Sequence, residues 1–400
     1  MPNYDKMILT SVNSRIVSAL ITDSKIVDME FCDTQDSILG NIYTGRVKNI
    51  VKNINSAFVE IENGRMCYLS FEESKNAVFC PDRKSELISN EDIIIVQVLK
   101  EDMKTKAPAL TCDFCLTGKY AVLHHGSTVF GISSKIKDEK RRSELKEIVQ
   151  KYKSGNEPLP YGIIIRTNAE NEPDDVIIKE INNLQKKYYD ILEIGKHSNH
   201  GKCIYRAVPS YIQHIRDARS DNLGEILTDE KNVYDDIEAY LKEYSPEELK
   251  KLRFYDSSDI PLNRVYSIDS TIEAALKKKV WLNSGGTLVI EPTEAMVVID
   301  VNTGKSIRDN KNIQQHFTDI NLEACREIAY QIRLRNLSGI IMIDFIDMKS
   351  REDRKKVMDT LGEYLKNDPI KATVVDMTSL NIVEVTRMKI RKPLYEQNIK

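Results

Sequence analysis

Three side chains in the last third of the sequence have the types and spacing to hold a hard cation. Asp300 and Asn302 lie two apart at the end of the apolar run 295–302, and Asp344 closes a second apolar run, 339–344. On extended backbone, residues two apart leave the same face, and α/β sheets collect ligands at the carboxyl ends of their buried strands. Oxygen donors gathered there suit a small cation that completes an octahedron with water and phosphate oxygens. Magnesium is the first choice and manganese its substitute. An aspartate closing a buried strand can equally be a turn residue, and spacing alone leaves that alternative open. Asp347, three residues beyond Asp344, is expected on the opposite face and in a supporting role. Gly304-Lys305-Ser306 looks like the end of a phosphate-binding loop, but Ile299 stands where the earlier glycine is required, which disfavours a nucleotide-dependent phosphotransferase.

Other groups could meet phosphates. Arg166 follows the apolar run 161–165, and its planar fork fits a terminal phosphate at two points, with the Thr167 hydroxyl as a further donor. Arg387, Lys389 and Arg391, spaced by two, could line one face of a strand and touch a phosphate backbone; a solvated charged face explains them as well. Cys112 and Cys115 have C-x-x-C spacing without a second pair and read as small apolar residues of an extended segment rather than a metal site. His197 and His200 fall in a polar stretch and read as solvated.

The elements that must position these groups are legible to different degrees. Strands are expected at 7–9 and 16–21. From 42 to 116 about five strands follow (42–47, 57–61, 66–69, 93–99 and 108–116), with Asn63-Gly64 as a hairpin turn, which is the count of an OB-type barrel. Helices are expected at 137–153 and 174–193, strands at 161–167 and 203–208, and mostly helix over 225–252, with Ser245 capping Pro246-Glu247-Glu248. Strands 287–291 and 295–302, a helix 321–335, a strand 339–344, a helix 351–366 and a strand 372–376 then form a β-α-β-α-β order, the mark of an α/β layer.

Composition limits the classes open to such a chain. Its 400 residues, 41% hydrophobic and 30% charged, can fill several cores. A net charge of −3 means that nucleic-acid binding must rest on local basic surfaces. No stretch reaches the length of a membrane span, residues 1–17 lack the apolar core of a secretory signal, and seven scattered cysteines argue for reduced thiols, so a cytoplasmic location is expected.

The segments 299–304 (Ile-Asp-Val-Asn-Thr-Gly), 321–324 (Asn-Leu-Glu-Ala), 331–337 (Gln-Ile-Arg-Leu-Arg-Asn-Leu) and 343–348 (Ile-Asp-Phe-Ile-Asp-Met) closely resemble, in order, the catalytic domain of the ribonuclease E/G family. The resemblance covers essentially the whole chain. It implies a multidomain α/β fold: a ribonuclease H-like subdomain from 1–36 with 215–278, an inserted S1-type OB-fold domain at 37–117, a 5′-sensor subdomain at 118–214 and a DNase I-like catalytic subdomain at 279–400. It also implies magnesium-dependent endonucleolytic cleavage of single-stranded RNA such as mRNA and rRNA precursors, in processing and decay, leaving a 5′-phosphate downstream. Asp300 and Asp344 then bind the metal and Asn302 orients Asp300. Phe58, Tyr68 and Lys106 match positions used against RNA, Tyr68 replacing the more usual phenylalanine. Arg166 and Thr167, with Gly118 and Val122 as a wall, match a pocket for a 5′-monophosphate, where Lys371 stands in place of an arginine found in some members.

Family members usually continue into a cysteine pair that shares zinc between subunits, and no cysteine follows Cys325. No zinc is therefore expected, and a homodimer remains an open partner beside RNA. The rival class is a non-catalytic RNA-binding or ribosome-associated factor on the same scaffold, against which the set Asp300, Asn302 and Asp344 argues.

Overall fold

A computed structural model describes residues 4–32, 37–81, 87–100, 107–153, 159–217, 223–256, 260–304, 313–378 and 380–397. The chain divides into two compact units, Met1–Cys32 with Ser220–Lys400, and Asp33–Arg219.

The first unit contains two sheets. One has six strands in the order Lys279–Trp281, Thr287–Pro292, Val297–Asn302, Gly339–Asp344, Ile382–Arg387, Ala372–Met377. Val297–Asn302 and Gly339–Asp344 are parallel and the remaining neighbours antiparallel. Alternation sends Leu288, Ile290, Ile299, Val301, Ile341, Ile343, Val383 and Val385 to one face, where they are buried. The helix Ile313–Leu334 meets them with Ile320, Ala324, Cys325, Ile328 and Ile332, a stripe at helical spacing, and the helix Arg351–Leu365 adds Val357 and Leu361. Ser350 caps the second helix by accepting from the Glu352 and Asp353 amides. The opposite face stays accessible: Val298 is 36% exposed and Ile340 49%.

The other sheet runs Leu252–Phe254, Leu223–Thr228, Tyr4–Val12, Arg15–Thr22, Lys25–Cys32, its first three strands parallel and the rest antiparallel. The turns between the last three strands use Asn13-Ser14 and Asp23-Ser24, all four with φ between 50° and 63°, the conformation that matches strand twist in two-residue hairpins. Leu223–Thr228 is strand, so the mostly helical expectation for 225–252 is corrected at its start; the helix Lys231–Tyr244 follows. Ser245 makes no side-chain cap, and Pro246–Lys251 is a 3-10 turn.

In the second unit, Ile42–Val51, Ser56–Glu60, Met66–Ser70, Ala109–Thr111 and Ile93–Lys100 form a barrel that closes where Ile42–Val51 pairs with Ile93–Lys100. Cys203–Tyr205 pairs with Ile42–Val51 as a sixth strand. The expected strand 108–116 is divided: Ala109–Thr111 belongs to the barrel and Cys115–Thr117 to a second sheet with Ala121–His125, Tyr161–Ile165 and Phe130–Ile132. The helices Glu139–Lys153 and Asp174–Lys196 pack on that sheet through Leu145, Ile148, Ile177, Ile181 and Tyr188. Cys112 is buried and Cys115 half-buried, both as free thiols. Among the described residues no helix is long and apolar enough to cross a membrane.

Candidate functional site: a carboxylate pair on an open sheet face

Parallel register places Asp300 directly beside Asp344. Both belong to the face opposite the buried isoleucines, as strand alternation dictates. The Asn302 amide donates to Asp300 Oδ2 at 2.7 Å, so the side chain two residues along fixes the carboxylate. Burial raises the Asp344 carboxyl above the usual range, and the charges of Asp300 and then Asp347 raise it further. The strand ends at Asp344, so Asp347 does not follow the alternation expected of it; its charge is felt at Asp344. Among the described residues none of these three carboxylates has an ion-pair partner. A cluster of unneutralised oxygen donors with no sulfur or imidazole fits a hard cation. Among the described residues no group of three or more His, Cys, Asp or Glu could hold a metal, so a cation here would have no more than two protein carboxylates, Asp300 and Asp344. Magnesium, which binds through one or two carboxylates and keeps water or phosphate for its other positions, tolerates such a set.

The basic stripe does not form. Arg387 shares strand parity with buried Val383 and Val385 and is itself buried, its Nε 2.7 Å from Asp368 and its Nη1 donating to Asn336 Oδ1 at 2.6 Å and the Leu337 carbonyl at 3.1 Å. Its assignment to RNA is therefore corrected: the guanidinium is consumed inside the fold. Arg391 is engaged by Asp28 at 2.6 Å and by Glu30. Lys389 lies beyond the strand and is exposed.

On the barrel, Phe58 and Tyr68 are cross-strand partners, both half-buried, with ring centroids 6.4 Å apart at 76°. They form one aromatic patch rather than core. Lys106 lies outside the described residues.

Around Arg166, the sheet brings Gly118, Val122 and Thr167 together: Val122 pairs with Thr117 and Ile164, and the Arg166 amide donates to the Tyr120 carbonyl at 2.7 Å. Arg166 Nη1 donates to the Gly118 carbonyl at 2.7 Å, and both Nη atoms reach Asp217 at 3.0 Å. Burial pushes the Asp217 carboxyl up, but Arg216 and Arg166 outweigh it and hold it below the usual range. The side-on edge of Arg166, its Nε–H and one Nη2–H, has no acceptor among the described residues. Thr167 Oγ1 meets Ser133 Oγ at 2.9 Å. Lys371 is exposed and belongs to the other compact unit.

A profile of the ribonuclease E/G family matches residues 115–390. Ribonuclease G of Haemophilus influenzae is 35% identical over 370 residues, covering 89% of this chain and 74% of its own length. The chain belongs to the ribonuclease E/G family. Ribonuclease G of Escherichia coli K12 is 32% identical over 372 residues, covering 90% of this chain and 75% of that protein. Ribonuclease E of a Nostoc species is 32% identical over 394 residues, covering 95% of this chain and 55% of that longer protein.

Several residues that support the sites of this ribonuclease E/G member escaped the sequence reading. Asn321 is fully buried and makes a two-way bond with residue 346, Nδ2 donating to its carbonyl at 2.8 Å and Oδ1 accepting from its amide at 3.1 Å. It thereby fixes the segment joining Asp344 to Asp347. Its signal was available, an asparagine on the same helix stripe as Ala324 and Ile328, since a polar group buried among apolar ones is there to bond something. Glu180 is buried beneath 118–121 and accepts from the amides of Lys119, Tyr120 and Ala121 at 2.7 to 2.9 Å. A side chain on Gly118 would strike it, which explains the glycine. Asp217 and Glu180 carry no sequence signal, because each meets its partner only through the fold.

Proposed function

We propose that this ribonuclease E/G family member, an endoribonuclease by its membership, hydrolyses single-stranded RNA at the Asp300–Asp344 pair and leaves a 5′-phosphate on the downstream fragment. The observation that carries this reading is the in-register carboxylate pair on an accessible sheet face, unneutralised by any basic side chain among the described residues. Magnesium held by Asp300 and Asp344, with manganese as a substitute, would neutralise charge at the scissile phosphate and lower the pKa of the attacking water. Asn302 holds Asp300 in one orientation, and Asn321 anchors the segment after Asp344. Phe58 and Tyr68 offer stacking surfaces for bases of a single strand, with Lys106 as the expected cation. The free side-on edge of Arg166, steadied from its other side by Asp217 and Gly118, is the two-point donor for a 5′-monophosphate, with Thr167 beside it. The four sheets support the four-part organisation, with the 3-2-1-4-5 arrangement of the first unit's five-stranded sheet as the ribonuclease H-like element and the six-stranded layer as the DNase I-like one.

The test is cleavage of a fluorescent single-stranded oligoribonucleotide at varied magnesium. Asp300→Asn and Asp344→Asn are expected to lose most turnover while binding the same RNA within about twofold, and Asp347→Asn to lose less. Near wild-type turnover by either of the first two at limiting magnesium refutes the assignment. RNA binding without cleavage by the wild-type chain under any metal would leave a non-catalytic RNA-binding factor.

A further inference from the structure

The six-stranded sheet carries, on the same face as its carboxylates, an exposed aromatic side chain. Trp281, the sole tryptophan of the chain, is 67% exposed on the edge strand Lys279–Trp281. Its neighbours on either side, Val280 and Leu282, turn to the core, so alternation sends Lys279 and Trp281 to the open face. Register fixes where on that face they stand. Lys279 pairs with Val289, which pairs with Asp300, which pairs with Asp344; Trp281 pairs with Thr287, which pairs with Asn302. The edge strand is two strands away from the one bearing Asp300 and Asn302, a separation of roughly 10 Å at the usual strand spacing.

The Lys279 ammonium lies 4.4 Å from the centre of the indole ring and has no ion pair among the described residues. It engages one face of the indole, which leaves the other for a flat partner, and it brings positive charge to the side where a phosphate backbone must pass. A single exposed apolar side chain is ordinary on a protein surface; what sets Trp281 apart is the cation held against its ring and the carboxylates on its face. A protein partner would also accept an exposed indole. The cation beside it, and the continuity of its face with the carboxylate pair, favour a nucleic-acid strand.

Resting on the proposed RNA-cleaving reading, we propose that Trp281 is a binding residue on which a base adjoining the scissile phosphate stacks, with Lys279 holding the indole and pairing with that nucleotide's phosphate. The strand would thus be gripped within the catalytic layer itself, and the site would favour bases that stack strongly.

Trp281 being the sole tryptophan, its emission reports the contact directly. With EDTA present to stop cleavage, the full chain is titrated with a labelled single-stranded oligoribonucleotide, following tryptophan emission and label anisotropy together. Emission is expected to be quenched along the same isotherm as anisotropy, and inorganic polyphosphate, which has no bases, is expected to leave it unchanged. In magnesium, Trp281→Ala is expected to raise KM about tenfold, the loss of one stacking contact of about 1.4 kcal/mol, with kcat within about twofold, and Trp281→Phe to recover most of it. Anisotropy that rises while emission stays constant overturns the stacking role and leaves the nuclease reading intact. Absence of any RNA binding sinks both. Emission that changes with protein concentration and not with RNA assigns the indole to a second copy of the chain and also overturns the proposal.

Discussion

Replacing Arg387 separates a buried structural cation from a phosphate contact. Its side chain is 0% exposed and that of its partner Asp368 is 4%. Arg387→Ala leaves the Asp368 carboxylate buried without its counterion, and breaking such a pair from one side costs about 3 to 5 kcal/mol. Asn336 Oδ1 and the Leu337 carbonyl lose a donor at the same time, each a buried acceptor worth about 1 to 3 kcal/mol. These losses share one network and do not add fully, so the expected destabilisation is at least about 4 kcal/mol, a large part of a typical folding free energy of about 5 to 15 kcal/mol. Equilibrium urea unfolding followed by circular dichroism reads it. The double replacement Arg387→Met with Asp368→Leu is expected to regain much of the loss, since it leaves no uncompensated charge. RNA affinity, measured where the variant is folded, is expected to stay within about twofold. Unchanged unfolding together with weakened RNA binding would refute the reasoning and return Arg387 to the phosphate backbone.

Phe58→Ala and Tyr68→Ala are each expected to raise the RNA concentration for half-maximal rate by about tenfold, within the 1 to 3 kcal/mol range of a stacking contact, with kcat spared; loss of folding by either would make it core. Arg166→Ala is expected to erase a preference for 5′-monophosphate over 5′-hydroxyl RNA, and Arg166→Lys to restore only part of it, since an ammonium lacks the fork; equal wild-type rates on the two ends would remove the sensor. His125 stacks on Phe114, with ring nitrogens 2.6 Å from the Tyr188 hydroxyl and 2.9 Å from the Asn76 carbonyl. Burial holds it below the ordinary value of 6.5, so the unfolded chain takes up its proton first as pH falls. The stability it contributes is complete above about pH 6.5 and fades as pH drops toward the folded value. Urea unfolding at pH 8 and pH 5 should show this loss in the wild type and less of it in His125→Gln; identical pH dependence would reject the assignment.

What the sequence disclosed follows from how local each cause is. Asp300 and Asn302 share a face because they are two apart, and that needs only an extended strand. Their meeting with Asp344 needs parallel register, which the apolar runs and the helix between them already suggest. The same parity rule misled at Arg387: spacing by two states that residues share a face, but not whether that face looks to water. Val383 and Val385 were the clue, since their parity is that of the core. For Asp347 the parity rule has no hold, because the strand ends at Asp344. Leu223–Thr228 was hidden by the charged sequence after it, and its strand is secured by pairing with Tyr4–Val12, far away in the chain. Asp217 beside Arg166 lies 51 positions from it, beyond any local pattern.

That parallel pairing of Tyr4–Val12 with Leu223–Thr228 also sets a timetable for biosynthesis. About 200 residues, including the whole Asp33–Arg219 unit, lie between the two strands. At ordinary elongation rates the first strand waits roughly 10 to 40 s for its partner. During that interval the three-stranded hairpin array 4–32 presents the edge of Tyr4–Val12 unpaired, with Met7, Ile8 and Leu9 still uncovered by the residues that bury them in the finished protein. Such an edge is an invitation to other chains. The inserted unit has no such debt, because its strands all lie between Ile42 and Tyr205, and it can fold first as it leaves the ribosome. Chains truncated shortly before residue 223 and released from the ribosome should therefore contain a protease-resistant 33–219 unit joined to an N-terminal segment that still depends on chaperones.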